Sequence, residues 1–249
     1  NHCRDRTVVD IDGHDGAFAE YVVLPAANLH EVPAGLTDEQ AVFAEPLAAA
    51  FQVVRQVRPA AGDAAVVLGD GRLGQLVARV LAGRVNRPLL VGKHAAKLEA
   101  AEKAGLQTRL LADWTPDKRA DLVVEATGRA EGLATALAAV RPRGTIVLKS
   151  TFAEPAPVNL APLVIDEVTV VGSRCGPFPD ALRALADGQV NVDALVTGRY
   201  PLADAPTALD AARGPAAIKV LLDVGRKRGQ ATFLTRADAP RPAGQPREK

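Results

Sequence analysis

Gly69-Asp70-Gly71-Arg72-Leu73-Gly74 joins an apolar run at residues 64–68 to a stretch in which Leu73, Leu76, Val77, Val80 and Leu81 recur at helical spacing. Three glycines at these intervals between a strand and a helix suit one chemistry, the binding of a dinucleotide pyrophosphate. Gly69 allows the tight turn and Gly71 lets the backbone approach the anion. Gly74 lets helix and strand pack closely, so that Arg72 and Leu73 open a helix whose N-terminus faces the phosphates. A plain strand-to-helix turn is the simpler alternative for the same six residues.

About 20 residues beyond such a turn, dinucleotide folds that prefer NAD place an acid on the adenosine ribose. This chain carries Gly92-Lys93-His94 there. Loss of the acid removes repulsion against a 2′-phosphate, Lys93 adds an attractive charge, and Lys97, one helical turn on, is expected to reach the ribose. The cofactor expected is NADP, with NAD as the alternative if Lys93 and Lys97 are only a solvated helix face. Ligands of an open parallel sheet bind at the carboxyl ends of its strands, which adds Thr127, Gly128, Ser150, Thr151 and Ser173 to the residues of interest.

The elements that must position these groups alternate. Residues 88–91, 121–125, 144–149 and 168–171 are strand candidates, while 95–104 and 131–140 are rich in alanine and leucine with charges on one helical face. The fold class predicted is α/β, a doubly wound parallel sheet of the Rossmann kind. Outside this repeat, residues 17–24 predict a strand after the Asp15-Gly16 turn, and 36–40 a helix start with Thr37 as N-cap. After Pro179 the pattern predicts a helix to Ala186, a strand over 195–200, a helix over 204–212 and a strand over 218–223.

The 249 residues contain no methionine, even at position 1, and Asn1-His2-Cys3-Arg4 does not open a secretory signal; the chain reads as a fragment. No apolar run approaches the roughly 18 residues of a membrane span. Cys3 and Cys175 are far apart and form neither a disulfide framework nor a zinc knuckle by spacing, which suits a reducing cytoplasm. Residues 226–249 hold seven basic against two acidic side chains, leaving the rest near −4 out of a total of +1. That balance offers no footprint for nucleic acid, and the basic, proline-rich tail is expected to be disordered. His2, His14, His30 and His94 lack metal-ligand spacing.

Taken with the glycine turn, the stretches Gly16-Ala17-Phe18-Ala19-Glu20-Tyr21-Val22, Glu45-Pro46-Leu47-Ala48, Val124-Glu125-Ala126-Thr127-Gly128 and Pro142-Arg143-Gly144-Thr145-Ile146-Val147 resemble the medium-chain, zinc-dependent alcohol dehydrogenases, the group of sorbitol and threonine dehydrogenases. The resemblance runs from residue 1 to about 224. It implies remnants of a GroES-like catalytic domain at 1–50, a dinucleotide-binding domain at 51–178, a segment returning to the catalytic domain at 179–225, and the tail at 226–249. It also implies hydride transfer between a secondary alcohol or polyol and a nicotinamide cofactor, with zinc polarising the substrate oxygen.

Under this resemblance Glu45 is a candidate ligand of the catalytic zinc, although a glutamate in the first turn of a helix can also serve the helix dipole. Cys3 is a candidate for the structural zinc, or an inert thiol; Cys175 matches no ligand position and is expected to be structural. The remaining ligands would lie upstream, so the catalytic residues are not identified and turnover by this chain alone is not expected. Residues 168–171 resemble the edge strand through which such domains pair into a homodimer. Two other classes keep a place: an inert nucleotide-binding module, separable by zinc content and turnover, and a methyltransferase, against which the third glycine spacing counts.

Overall fold

The computed structural model describes residues 2–5, 7–151 and 157–225. Its first helices are α1 (Asp38–Ala41) and α2 (Ala44–Val57). Thr37 caps α1 as expected: its Oγ1 accepts from Gln40 N–H at 3.2 Å, and Gln40 Oε1 accepts from Thr37 N–H at 3.1 Å. This reciprocal pair satisfies two donors that a helix end otherwise leaves without partners.

Then the alternation begins: β1 (Ala65–Leu68), α3 (Arg72–Ala82), β2 (Leu89–Gly92), α4 (Ala95–Glu102), β3 (Gln107–Leu110), β4 (Ala120–Glu125), α5 (Gly132–Ala139), β5 (Val140–Leu148), α6 (Ala161–Ile165) and β6 (Thr169–Gly172). All six strands are parallel, in the order β3-β2-β1-β4-β5-β6. The order reverses between β1 and β4, which makes a crevice at their carboxyl ends. α7 (Phe178–Ala186), β7 (Val196–Pro201), α8 (Ala205–Ala212) and β8 (Lys219–Asp223) follow, with β7 and β8 forming a separate parallel pair.

The sheet is covered on both faces because successive side chains of a strand point to opposite sides. Val67 and Leu90 pack under α2, α3, α4 and α7 with Phe43, Leu47, Leu76, Leu81 and Leu185. Val66, Leu68, Val123 and Ile146 pack on the other side with Ala136 and Leu137 of α5. Each Val, Leu or Ile so enclosed contributes about 1.5–3 kcal/mol, and the two clusters fix where the strand ends stand.

Three sequence expectations are corrected. Residues 17–24 form no strand; the described N-terminal stretch holds a single isolated bridge, Val8 to Asp12, and a short 3-10 turn at Ala26–Asn28. β3 was not expected, because Gln107, Thr108 and Arg109 make a polar strand at the sheet edge, where an apolar run is not needed. β5 begins at Val140, four residues earlier than expected. The basic tail lies outside the described residues.

Residues 30–43 meet residues 178–219. Gln40 Nε2 donates to Asp193 Oδ1 at 3.1 Å, Glu39 and Arg199 form a two-pronged ion pair, His30 stacks on Phe178 at 5.1 Å, and the Lys219 ammonium lies 5.8 Å from the Phe43 ring centre. Glu39 is held below the usual carboxylate range by its hydrogen bond to Arg199.

Candidate nucleotide-binding site

At the switch point, β1 turns into α3 through the three glycines. Gly69 has φ +112°, and a Cβ there would lie 2.5 Å from the Ala126 carbonyl oxygen; a Cβ on Gly74 would lie 1.8 Å from the Gly69 oxygen. Both positions therefore exclude any side chain. Gly71 differs, since a Cβ on it would meet nothing within 4 Å. It is the N-cap of α3 and gives that helix no side-chain cap. The amides of the first turn, with Arg72, Leu73 and Gly74, thus face an open cradle suited to an anion.

β2 ends beside this cradle. Lys93 is exposed, whereas Lys97 is only 9% exposed on the first turn of α4, and its carbonyl accepts from Gln75 Nε2 at 2.6 Å. Its burial departs from the solvated helix face that was the alternative for it in the sequence. Asp70, which the sequence reading passed over, turns its carboxylate across the end of β2 to His94.

Thr127 and Ser150 follow β4 and β5 and are brought together by Glu125, another residue missed as a site component. Glu125 is buried, and its Oε1 accepts from Thr127 N–H (2.8 Å), Thr127 Oγ1 (2.6 Å) and Ser150 Oγ (2.9 Å). Gly128 N–H donates to Ser150 Oγ at 2.7 Å, and Arg129 N–H to Thr127 Oγ1 at 3.1 Å. The hydroxyls consequently shape the two loops at the crevice rather than projecting free into it.

Lys149 lies beneath them, 8% exposed, its ammonium donating to the carbonyls of Ala49 (3.0 Å) and Arg174 (2.9 Å) and to Ser173 Oγ (3.4 Å). Burial pushes its pKa down to about 8, against the upward pull of Cys175 and Glu45. Lys219 is lowered likewise by burial and then by the Arg72 charge, while Glu45 raises it. The Glu45 charge thus acts on both Lys149 and Lys219, and the Arg72 charge on Lys219.

The metal expectations fare differently. Glu45 is exposed at the second position of α2, and Cys3 is exposed near the other end of the N-terminal stretch. Among the described residues no three of the types His, Cys, Asp and Glu gather where they could hold a metal. A zinc site normally takes three protein ligands, so these residues alone do not fit zinc. A groove of about 570 Å³ is lined by Arg79, Lys103, Leu106, Val190 and Asn191, and none of the expected site residues lines it. Arg79 there donates to the carbonyls of Gln75, Asn191 and Ala100 and to Gln75 Oε1, with burial pushing its pKa down to about 10. It is committed to joining α3 to α4 and residue 191.

Known proteins agree with this geometry. Residues 73–187 match the family of zinc-binding dehydrogenases. A 2-dehydro-3-deoxy-L-galactonate 5-dehydrogenase of Pseudoalteromonas atlantica is 32% identical over 89% of this chain and 68% of its own, and a sorbitol dehydrogenase of Halalkalibacterium halodurans is 30% identical over 84% and 65%. Among solved structures, an alcohol dehydrogenase of Escherichia coli CFT073 complexed with NADH superposes with a TM-score of 0.76 at 26% identity, covering 83% of this chain and 66% of that one. A zinc-binding dehydrogenase of Sinorhizobium meliloti 1021 bound to NADP gives 0.76 at 25%, over 85% and 67%. The chain spans about two thirds of the length of these relatives. With its Rossmann sheet and relatives of this identity and coverage, the chain belongs to the zinc-binding dehydrogenase family.

Proposed function

We propose that this chain supplies the nicotinamide-dinucleotide half of a zinc-dependent oxidoreductase that moves hydride between a secondary alcohol or polyol and the cofactor. The observation that carries the reading is the open cradle at Gly71 over the uncapped N-terminus of α3. Relatives named as a sorbitol dehydrogenase and a 2-dehydro-3-deoxy-L-galactonate 5-dehydrogenase support the substrate class. When bound, the nicotinamide accepts or donates the hydride. The chain's own residues hold and orient it: amides of the first turn of α3 take the pyrophosphate, Lys93 attracts a 2′-phosphate, and the Glu125-braced loops carrying Thr127 and Ser150 wall the far side of the crevice.

NADP is favoured by the exposed Lys93 and by the lack of an acid on β2, although the solved relatives hold NADH in one case and NADP in the other. Zinc requires ligands in addition to Glu45, so no catalytic step is assigned to it here. Contacts of Glu39, Gln40 and Phe43 with Arg199, Asp193 and Lys219 support residues 1–50 and 179–225 belonging to one catalytic unit set against a nucleotide unit at 51–178. A homodimer through β6 is supported by its edge position and by the exposed apolar residues Val164, Ile165 and Val170. The cytoplasm is the compartment we propose, from two cysteines, Cys3 and Cys175, whose number and wide separation in sequence do not make a disulfide framework.

The cradle is tested by Gly71→Val. A Cβ there meets no protein atom within 4 Å, so folding is expected to be kept while NADP affinity measured by titration calorimetry falls by a factor on the order of ten or more. Equal affinity before and after the change would refute the assignment.

A further inference from the structure

An acid is missing from β2, yet a carboxylate stands at its end. Asp70 Oδ2 accepts from the backbone N–H of His94 at 2.6 Å, and both carboxylate oxygens lie 3.1 Å from His94 Nδ1. The Asp70 side chain is nine-tenths buried, whereas the imidazole is 40% exposed. Gly92, the last residue of β2, makes this possible: a Cβ there would lie 2.4 Å from Asp70 Cβ and 2.5 Å from Oδ2. An acidic side chain on Gly92 and the observed placement of Asp70 are mutually exclusive. The carboxylate that a dinucleotide fold usually takes from the second strand has a counterpart here that arrives from the glycine turn, one strand over.

We infer that Asp70 is the residue that reads the 2′ position of the adenosine ribose, accepting a hydrogen bond from a 2′-hydroxyl and opposing the 2′-phosphate that Lys93 attracts. The inference rests on the dinucleotide reading given above. A carboxylate has about four acceptor directions, and His94 occupies at most three of them, so the contacts with His94 do not exhaust its hydrogen-bonding capacity. Burial keeps the charge poorly screened, which makes it felt by a phosphate placed nearby. The balance between NAD and NADP is then set by two residues of opposite sign, one on each side of the β1–β2 end, rather than by Lys93 alone. A purely structural Asp70, one that only ties the turn to the start of α4, would affect both cofactors alike.

The test uses titration calorimetry of the full chain with NAD and with NADP, for the wild type and Asp70→Asn. The amide oxygen of asparagine still accepts from His94 N–H, so the turn is kept while the charge is lost. The expected result is a shift in the ratio of affinities toward NADP on the order of tenfold, with NAD binding weakened. An unchanged ratio, including a parallel loss for both cofactors, overturns the inference and leaves the dinucleotide site standing. Failure of the wild type to bind either cofactor refutes the site itself and the inference with it. Asp70→Ser, whose hydroxyl can also accept from His94, repeats the ratio measurement if the asparagine variant melts early.

Discussion

The parallel sheet and the stretch from residue 7 to 35 are built from similar amino acids and end up in opposite states. Val67, Leu90, Val123 and Ile146 are wholly enclosed, whereas Ile11 is 82% and Phe18 67% exposed, with Val22, Val23 and Leu29 also open. Residues 17–24 have the composition of a strand but no ladder among the described residues. Each sheet strand has a neighbour supplied by the same chain: Val67 pairs with Leu90 on one side and Val124 on the other. β-propensity measures fit to a pleated, half-buried surface. Without a neighbouring strand there is no such surface, and the preference has nothing to act on.

The largest effect that would sharpen this contrast is in the core. Ile146→Ala in β5 leaves a cavity between the sheet and α5 and is expected to cost about 2–5 kcal/mol. Phe18→Ala, a larger truncation in the exposed stretch, is expected to change stability by no more than about 0.5 kcal/mol. Denaturant titration of both variants measures the difference. Comparable losses would show that residues 7–35 are packed far better than their exposure indicates.

A smaller effect concerns Lys149, the charged residue enclosed at the boundary between the sheet and α2. Its folded-state pKa of about 8 stands below the ordinary 10.5. Below pH 8 both folded and unfolded chains are protonated there and the cost of burying the charge stands in full. Between about 8 and 10.5 the unfolded chain binds more protons, so rising pH favours the folded state. The stability of the wild type relative to Lys149→Met should therefore rise across that window, followed by urea melts at successive pH values. A difference that is flat or falls with pH would contradict the burial of this ammonium.

What the sequence made legible follows the same division. β1, β2 and β4 were readable because inner strands of a parallel sheet, buried on both faces, are continuous apolar runs, and β6, although exposed at the edge, because Val168, Val170 and Val171 keep a β-branched run around Thr169. β3 was not, since its edge position let Gln107, Thr108 and Arg109 stand where valines stand elsewhere. The glycine turn was readable because all of its requirements lie within six residues. Asp70 and Lys149 were not: the partner that gives Asp70 its meaning is 24 residues away, and Lys149 reaches a carbonyl 100 residues away. Lys97 illustrates the converse, a lysine expected at the ribose or else on a solvated helix face, which packing leaves only 9% exposed.

The central claim is that the carboxyl ends of β1 and β2 bind a nicotinamide dinucleotide. Hydrogen exchange measured residue by residue, with and without saturating NADP, locates that binding directly. Slower exchange is expected at the amides of Gly71, Arg72, Leu73 and Gly74 and at Lys93 and His94, with no change around Arg79 and Asn191. Protection confined to the Arg79 groove, or no protection in the glycine turn while NADP is bound, would contradict the account.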